Sequence, residues 1–359
     1  MPKMCAMDLG LLNNILENSL AQSKNLRPRN YHFKPSTLFY GGARAGKIST
    51  ALLHASTYKR PVFVDCTDAR LNLAQLAKAL PLFCQDKGVD LLILKHPPLD
   101  FPLLNNLPTF ITQSTPKNTP KGFKTEAILP LNFAEFVALH KKEPSTLLAR
   151  FLKEGNLPEL LFCPASEIAL KKQALYALAF KDKAPLFKAL LPYQARSLST
   201  HHLYTQLKKT LKISKDSLYA FIAFLQESQT LLSLASLKAT RPKLYFYDFS
   251  LPYAFSYTHP LPPVFENMLA LELIRHFGVS KIACHFNAFL AANRHLCIPS
   301  PFPTPEQLKH TLPLLLKGMA ANIQVWIVTI NTALKGACGK HAWQACGFGD
   351  FCLQVLPTL

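Results

Sequence analysis

Acidic residues are scarce in this sequence: 21 Asp and Glu stand against 40 Lys and Arg, which gives a formal net charge of +19 at pH 7. Such a surplus favours polyanionic partners, namely nucleic acid, nucleotides or anionic lipid. The lysines are dispersed along the 359 residues and form one notable local cluster. The charge alone is therefore weak evidence for any one of these partners.

Long apolar runs and a leader pattern are missing too. Residues 1–10 lack the basic start and the apolar core of a signal peptide. The longest apolar stretch, 318–334, contains several Asn, Gln and Thr residues, which make it too polar to cross a bilayer. We therefore expect a cytoplasmic protein with no membrane association.

The 9 cysteines show no regular spacing, and this odd number favours reduced thiols over a disulfide framework. Four residues near the end, Cys338, His341, Cys346 and Cys352, have a spacing that could hold zinc. However, no pattern of supporting residues accompanies them, and Cys352 lies in the apolar run 351–356, which predicts a terminal strand. We therefore do not expect zinc at this cluster.

One stretch, residues 41–49, carries a phosphate-binding motif. It follows an apolar run at 37–40 and precedes an apolar-periodic segment at 51–53, which together predict a strand, a loop and a helix. In a P-loop, backbone N–H groups surround phosphate oxygens and the lysine reaches the terminal phosphates. The intact pattern G-x-x-x-x-G-K predicts such a loop, and a glycine-rich turn without a ligand is the alternative. The loop consists of Gly41, Gly42, Ala43, Arg44, Ala45, Gly46, Lys47, Ile48 and Ser49.

The residues that would hold Mg²⁺ in a P-loop enzyme are absent. A Ser or Thr usually follows the motif's lysine and binds the metal, but Ile48 has no ligand atom. Ser49 comes one residue later, and its hydroxyl points elsewhere because a helix turns by about 100° per residue. The buried strand predicted at 89–94 ends in Lys95 and His96, where an active enzyme has an Asp for the metal and often a Glu for water. We therefore predict neither a metal site nor catalytic residues.

Lys95 leaves two interpretations open. Its ammonium would offset phosphate charge in place of Mg²⁺, or Lys95 and His96 would simply begin a surface loop. ATP is the ligand that the loop predicts, and we expect its binding to depend little on Mg²⁺. Four acids near strand ends do not stand where a metal would need them: Asp65, Asp68, Asp90 and Asp100.

The predicted elements alternate between strands and helices. Strands are expected at 61–65, 89–94 and 109–112, and helices at 5–26 and 71–80. This alternation is typical of a parallel α/β sheet with helices on both faces. Ligands of such sheets bind at the carboxyl ends of the strands, where the predicted P-loop lies.

Several stretches share their order with the motifs of one protein family. The loop keeps Arg44, Gly46 and Lys47 of Gly-Pro-Arg-Arg-x-Gly-Lys-Thr-Thr, and residues 128–136 resemble Pro-Leu-Ser-Phe-x-Glu-Phe. The chain thus resembles a bacterial and archaeal AAA-type ATPase family, whose P-loop domain is joined to a C-terminal domain of unknown function with a restriction-endonuclease-like fold. The other similar stretches are 112–114, 155–159, 243–248 and 265–267 with Leu273.

The resemblance implies an α/β protein with four parts. Residues 1–145 would form a parallel-sheet, AAA-like nucleotide-binding domain, and residues 146–200 a helical lid or linker. Residues 201–255 would form a winged-helix-like domain, and residues 256–359 a nuclease-like α/β domain. A nuclease needs an acid on one strand and a Glu-x-Lys pair on the next, to hold a metal and activate water. Residues 280–305 contain no Asp or Glu, so we expect no metal-dependent DNA cleavage.

A helix–turn–helix pattern at 201–240 lies beside the basic cluster of Lys208, Lys209, Lys212 and Lys215. These lysines suit phosphates. The second helix offers no Arg or Asn for base edges. Weak, sequence-independent DNA binding is one interpretation, and packing or subunit contact is the other.

The combined motifs predict an AAA-like protein that binds ATP and hydrolyses it weakly or not at all. A DNA-associated or protein-scaffolding module without a nucleotide is one alternative. An active ATPase with unusual metal ligands is another, which the family's fold alone would suggest.

Overall fold

A computed structural model of the chain describes Arg29 and residues 33–104, 106–239 and 241–359. The helix predicted at 5–26 lies outside these residues. The strands are β1 (Thr37–Tyr40), β2 (Pro61–Asp65), β3 (Leu91–Lys95), β4 (Thr109–Thr112), β5 (Lys124–Ala127), β6 (Leu231–Leu234), β7 (Lys243–Phe246), β8 (Ile282–His285), β9 (Ala288–Ala291), β10 (His295–Pro299), β11 (Gln324–Thr329), β12 (Leu334–Cys338) and β13 (His341–Gly347).

The helices are α1 (Lys47–Ala55), α2 (Leu73–Lys87), α3 (Phe133–His140), α4 (Pro144–Glu154), α5 (Ala165–Phe180), α6 (Ala184–Leu190), α7 (Thr200–Leu207), α8 (Lys215–Glu227), α9 (Leu251–Phe255), α10 (Leu261–Phe277), α11 (Pro305–Leu316) and α12 (Phe348–Asp350). In the described ranges, every helix is too short or too polar for a membrane span. By their contacts, these elements separate into two compact units. The first comprises the described residues up to Leu129 with Glu227–Gln229, and the second comprises Pro130–Gln226 and Thr230–Leu359.

The first unit is built on a five-stranded parallel sheet in the order β2-β3-β4-β1-β5. Neighbouring residues of a strand point to opposite faces. Phe39 and Phe110 therefore pack with α1 on one face, while Leu38 and Ile111 pack with α2 on the other. The predicted α/β sheet with both faces covered is confirmed, as the continuous apolar runs of its strands require.

Helix α2 begins at Leu73, two residues after the predicted start, and continues beyond the predicted end at Leu80. The side chain of Asn72 accepts a hydrogen bond from the Gln75 N–H, which satisfies a free donor of the first turn. Phe83 and Cys84 are buried beyond Pro81, so apolar packing carries the helix past the proline. The chain then turns into β3.

The second unit combines helices with two sheets. β6 and β7 form an antiparallel pair. The larger sheet has the order β12-β13-β11-β10-β9-β8, and its three central strands β10, β11 and β13 run parallel. The predicted core strand at 324–329 is β11, in the middle of this sheet. Residues 264–274 of α10 are all buried.

The prediction of a terminal strand at 351–356 is wrong. Phe351–Val355 forms a π-helical turn and Leu356–Thr358 a 3₁₀ turn. The side chains of Phe348, Phe351 and Cys352 are buried, and spacings of three and four residues belong to a helix rather than a strand. An apolar run of six residues is too short to distinguish the two patterns.

A polar network lies buried in the second unit. Lys172 Nζ is 2.6 Å from Asp248 Oδ2, and the two side chains are 1% and 0% exposed. Lys172 also donates to the hydroxyl of Ser250. Gly155 borders this network with φ of +84°, and a Cβ at that position would come within 2.2 Å of Ser250 Oγ. Only glycine therefore fits there.

Removing one partner of this buried pair should be costly. Lys172→Met would leave the Asp248 carboxylate without its cation, and a change of this kind typically costs about 3–5 kcal/mol. The matched control is Lys171→Met, because Lys171 pairs with Glu167 on the exposed side of the same helix. Urea unfolding should show a large loss for the first variant and a nearly unchanged midpoint for the second. Equal losses in both variants would contradict this role for the pair.

Candidate phosphate-binding site

The loop at 41–49 lies between β1 and α1, as its sequence predicts. Gly41 has φ of +149°, and a Cβ there would come 2.4 Å from the Ile128 carbonyl oxygen, so this position requires glycine. The Gly41 N–H donates to the Ser114 carbonyl over 3.3 Å. Helix α1 begins directly after Gly46. The loop therefore follows an inner strand, which lies between β4 and β5, and leads to a helix N-terminus, the position at which phosphates bind in α/β sheets.

The side chain of Lys47 folds back onto its own loop. Its Nζ donates to the carbonyls of Gly41 and Gly42, over 2.8 and 2.7 Å. Burial, with smaller contributions from Arg44 and Lys95, lowers the pKa of Lys47 to about 7. A bound anion would stabilise the charged form of Lys47. The loop is therefore suited to an anion.

Arg29 braces the loop, a role that the sequence did not predict. Its guanidinium donates to the Ala45 carbonyl over 3.0 Å and to the Leu129 carbonyl over 2.9 Å. Arg29 is buried, and the planar fork of a guanidinium can serve two acceptors at once. No motif surrounds Arg29, so only the fold indicates which carbonyls it reaches.

The side chain of Ile48, which has no ligand atom, serves in packing. Its side chain packs against the apolar cluster that includes Phe39 and Ala51. Thr50 is buried, and its Oγ1 has no hydrogen-bond partner among the described residues. Position 48 therefore contributes an apolar contact between α1 and the sheet.

Lys95 is the last residue of β3, and it forms an ion pair. In the parallel register of β2 and β3, Asp65 stands opposite Lys95, and Lys95 Nζ lies 2.6 Å from Asp65 Oδ2. Burial alone would raise the pKa of Asp65, but hydrogen bonds from Lys95 and Thr67 outweigh it and lower that pKa. The sequence indicates Asp65 only as an acid near a strand end, out of place for a metal, and does not reveal this pairing. The strand predicted at 89–94 stops one residue short of Lys95, so only the observed register of β2 and β3 reveals the pair.

His96 follows Lys95 with φ of +49°, a left-handed conformation that is uncommon for residues other than glycine. Its N–H donates to the Thr112 carbonyl over 2.8 Å, so the residue is held at the end of the sheet. Burial, together with the charges of Lys47 and Lys95, lowers the pKa of His96. The imidazole is therefore neutral at pH 7.

These residues do not fit a catalytic Mg²⁺ ion. Magnesium prefers oxygen ligands, mostly from carboxylates and phosphates. Here position 48 is apolar, position 95 is a cation, and the nearby Asp65 carboxylate is held by Lys95. The donor set instead suits an anion.

The other predicted site residues are distributed over the second unit. Lys208, Lys209, Lys212 and Lys215 lie at the turn between α7 and α8, and all four are exposed. Glu266, in the stretch 265–267 that resembles the family, is buried on α10, where it accepts a hydrogen bond from Tyr245 and pairs with Lys243.

The proposed zinc ligands do not converge. Cys338 and His341 face each other across the hairpin of β12 and β13, while Cys352 lies in the π-helical turn. Within the described ranges, no three His, Cys, Asp or Glu side chains are grouped to hold a metal ion, and the eight cysteines there are free.

Comparisons with known proteins do not assign a function to this chain. No family model and no curated protein matches this chain. Among solved structures, a signal transduction ATPase with numerous domains (STAND) from Pyrococcus horikoshii, which has a tetratricopeptide repeat sensor, is similar over 74% of this chain, with 13% identity and a TM-score of 0.30. This chain spans 46% of that protein. A likeness this weak carries no argument about function.

Anion binding at this loop should be coupled to proton uptake. In the free site Lys47 is charged below about pH 7 and neutral above it, and a bound anion favours the charged form. Sulfate affinity should therefore be nearly constant just below pH 7 and fall by up to about tenfold per unit above it. Because sulfate keeps its charge over this range, isothermal titration calorimetry would report the protein's titration alone.

Lys47→Arg is the matched control, since a guanidinium stays charged at every pH of the experiment. Its sulfate affinity should not change with pH. His96→Asn should keep the wild-type profile above pH 7, because the lowered pKa of His96 leaves the imidazole neutral there. A flat wild-type profile would show that Lys47 does not control binding.

Proposed function

We propose that this chain binds a nucleotide, with ATP as the expected ligand, through phosphate groups at residues 41–49. The observation that carries this proposal is the position of Lys47, whose ammonium lies on a glycine loop at the carboxyl end of an inner parallel strand. The exposed Arg44 and the first N–H groups of α1 belong to the same loop. Together they offer phosphate oxygens both positive charge and hydrogen-bond donors.

The same site argues for binding without Mg²⁺. Lys95 would repel a divalent cation at the place where an ATPase has its acid, and Ile48 offers the metal no oxygen. In P-loop enzymes the metal neutralises charge in the transition state and a polar group orients the water. Without these contributions, hydrolysis is slow or absent.

Two finer assignments belong to this proposal. The order α7, α8, β6 and β7 supports a winged-helix-like part at 201–255. The mixed six-stranded sheet, with no acid between 280 and 305, supports a nuclease-like part that cleaves no DNA. Both assignments rest on the order of elements and on the resemblance.

Calorimetric titration of ATP tests the binding itself. The wild-type chain should bind ATP, and adding Mg²⁺ should not strengthen that binding, because the site offers the metal no ligands. Lys47→Ala should lose at least about tenfold in affinity, the effect of one charge-assisted contact. If wild type and Lys47→Ala both fail to bind millimolar ATP, a scaffolding module without a nucleotide becomes the better interpretation.

Phosphate release tests the absence of hydrolysis. The wild-type chain should turn over far below about one ATP per second, with or without Mg²⁺. The triple variant Ile48→Thr, Lys95→Asp, His96→Glu restores an oxygen ligand, an acid beside Asp65 and a water-orienting carboxylate. It should gain Mg²⁺-dependent binding and measurable turnover. Fast wild-type turnover that Lys47→Ala abolishes would instead favour an active ATPase with unusual metal ligands.

A further inference from the structure

The segment joining α7 to α8 carries unbalanced positive charge. Four of the eight residues at 208–215 are lysines, and all four are exposed. Within the part of the chain that the structure describes, none of the four pairs with a carboxylate. Elsewhere lysines do pair, as Lys172 with Asp248 and Lys243 with Glu266. Asp216 is the only acid between 200 and 226, so this surface attracts anions.

Two of these lysines are held by aromatic rings. Lys208 Nζ lies 5.7 Å from the centre of the Tyr204 ring, and Lys215 Nζ lies 5.6 Å from the centre of the Tyr219 ring. Cation–π contacts at such distances restrict where a flexible side chain places its charge. The two ammonium groups are therefore ordered in advance on either side of the turn, which lowers the entropy lost when they bind phosphates.

The solvent face of α8 carries aromatic and apolar side chains between two acids, Asp216 in the first turn and Glu227 at the last residue. Tyr219 and Phe224 remain 39% and 38% exposed, and the exposed Ala220 and Ala223 lie between them. This face has no Arg, Asn or Gln that could read base edges in a groove. Gln226, at the end of the helix, already donates to Ser233 Oγ. Sequence-specific recognition of a duplex is therefore not what this helix is built for.

We propose that this surface binds single-stranded nucleic acid without sequence preference. The lysines contact the phosphates, and the exposed rings of Tyr219 and Phe224 stack with bases. Proteins bind single strands with two components, cations for the phosphates and aromatic rings for the bases. Bases are free to stack on a protein only where they are unpaired. The surface belongs to the second unit, so the proposal does not depend on nucleotide binding at residues 41–49.

The first test is fluorescence anisotropy of the full chain with a labelled oligothymidylate at low salt. Binding should weaken with salt, with a logarithmic slope of about −3 for four phosphate contacts. Replacing all four lysines of the turn by Gln should weaken binding at least about tenfold. The matched control replaces Lys309, Lys317, Lys335 and Lys340 by Gln, which removes the same charge from other exposed positions of the second unit. This control should change affinity by less than about threefold.

The second test separates single strands from polyanions in general. Phe224→Leu removes a ring outside the two cation–π pairs and keeps every charge, so it should weaken oligothymidylate binding about tenfold and leave heparin binding unchanged. Four outcomes would overturn the proposal: no binding at low salt, equal losses in the two lysine variants, no effect of the ring variant, or a duplex of equal length bound at least as tightly. A circular dichroism spectrum like that of wild type would show that the variants are folded.

Discussion

The character of the candidate site depends on one ion pair, between Asp65 and Lys95. The parallel register of β2 and β3 brings these last residues together at 2.6 Å. Without Asp65, the charges of Arg44, Lys47 and Lys95 would repel one another at the loop. Because Lys95 engages Asp65, this carboxylate is not free to hold a metal. The pair therefore permits positive charge to gather at the loop and engages the Asp65 carboxylate.

The scarcity of acids has a structural counterpart in the second unit. Glu266 on α10 is buried between Lys243 at 2.6 Å and Tyr245 at 2.7 Å. A carboxylate engaged in this way cannot hold a metal ion for a substrate. Asp248 is likewise enclosed by its partner lysine. Such acids serve the interior, whereas the exposed lysines at 208–215 pair with no carboxylate among the residues that the structure describes.

Local patterns predicted the elements whose signals are complete within a short window. The loop at 41–49, β2 and β4 lie where periodicity and glycines placed them. The predictions failed where a decision depended on distant contacts. Phe351 and Cys352 belong to a helical turn because both side chains are buried there. Helix α2 continues past Pro81 because Phe83 is buried in the core. The brace by Arg29 depends on the Leu129 carbonyl, which is distant in sequence.

The sequence by itself determined the composition of the site: a glycine loop with Lys47, no oxygen ligand at position 48 and a lysine at position 95. These are properties of residue types, and they hold in any fold that brings the residues together. Only the tertiary structure decided which charges compensate one another, since Asp65 reaches Lys95 through strand register and Lys172 reaches Asp248 through packing. Electrostatic interactions fall off with distance and change with burial, and neither quantity can be obtained from residue order.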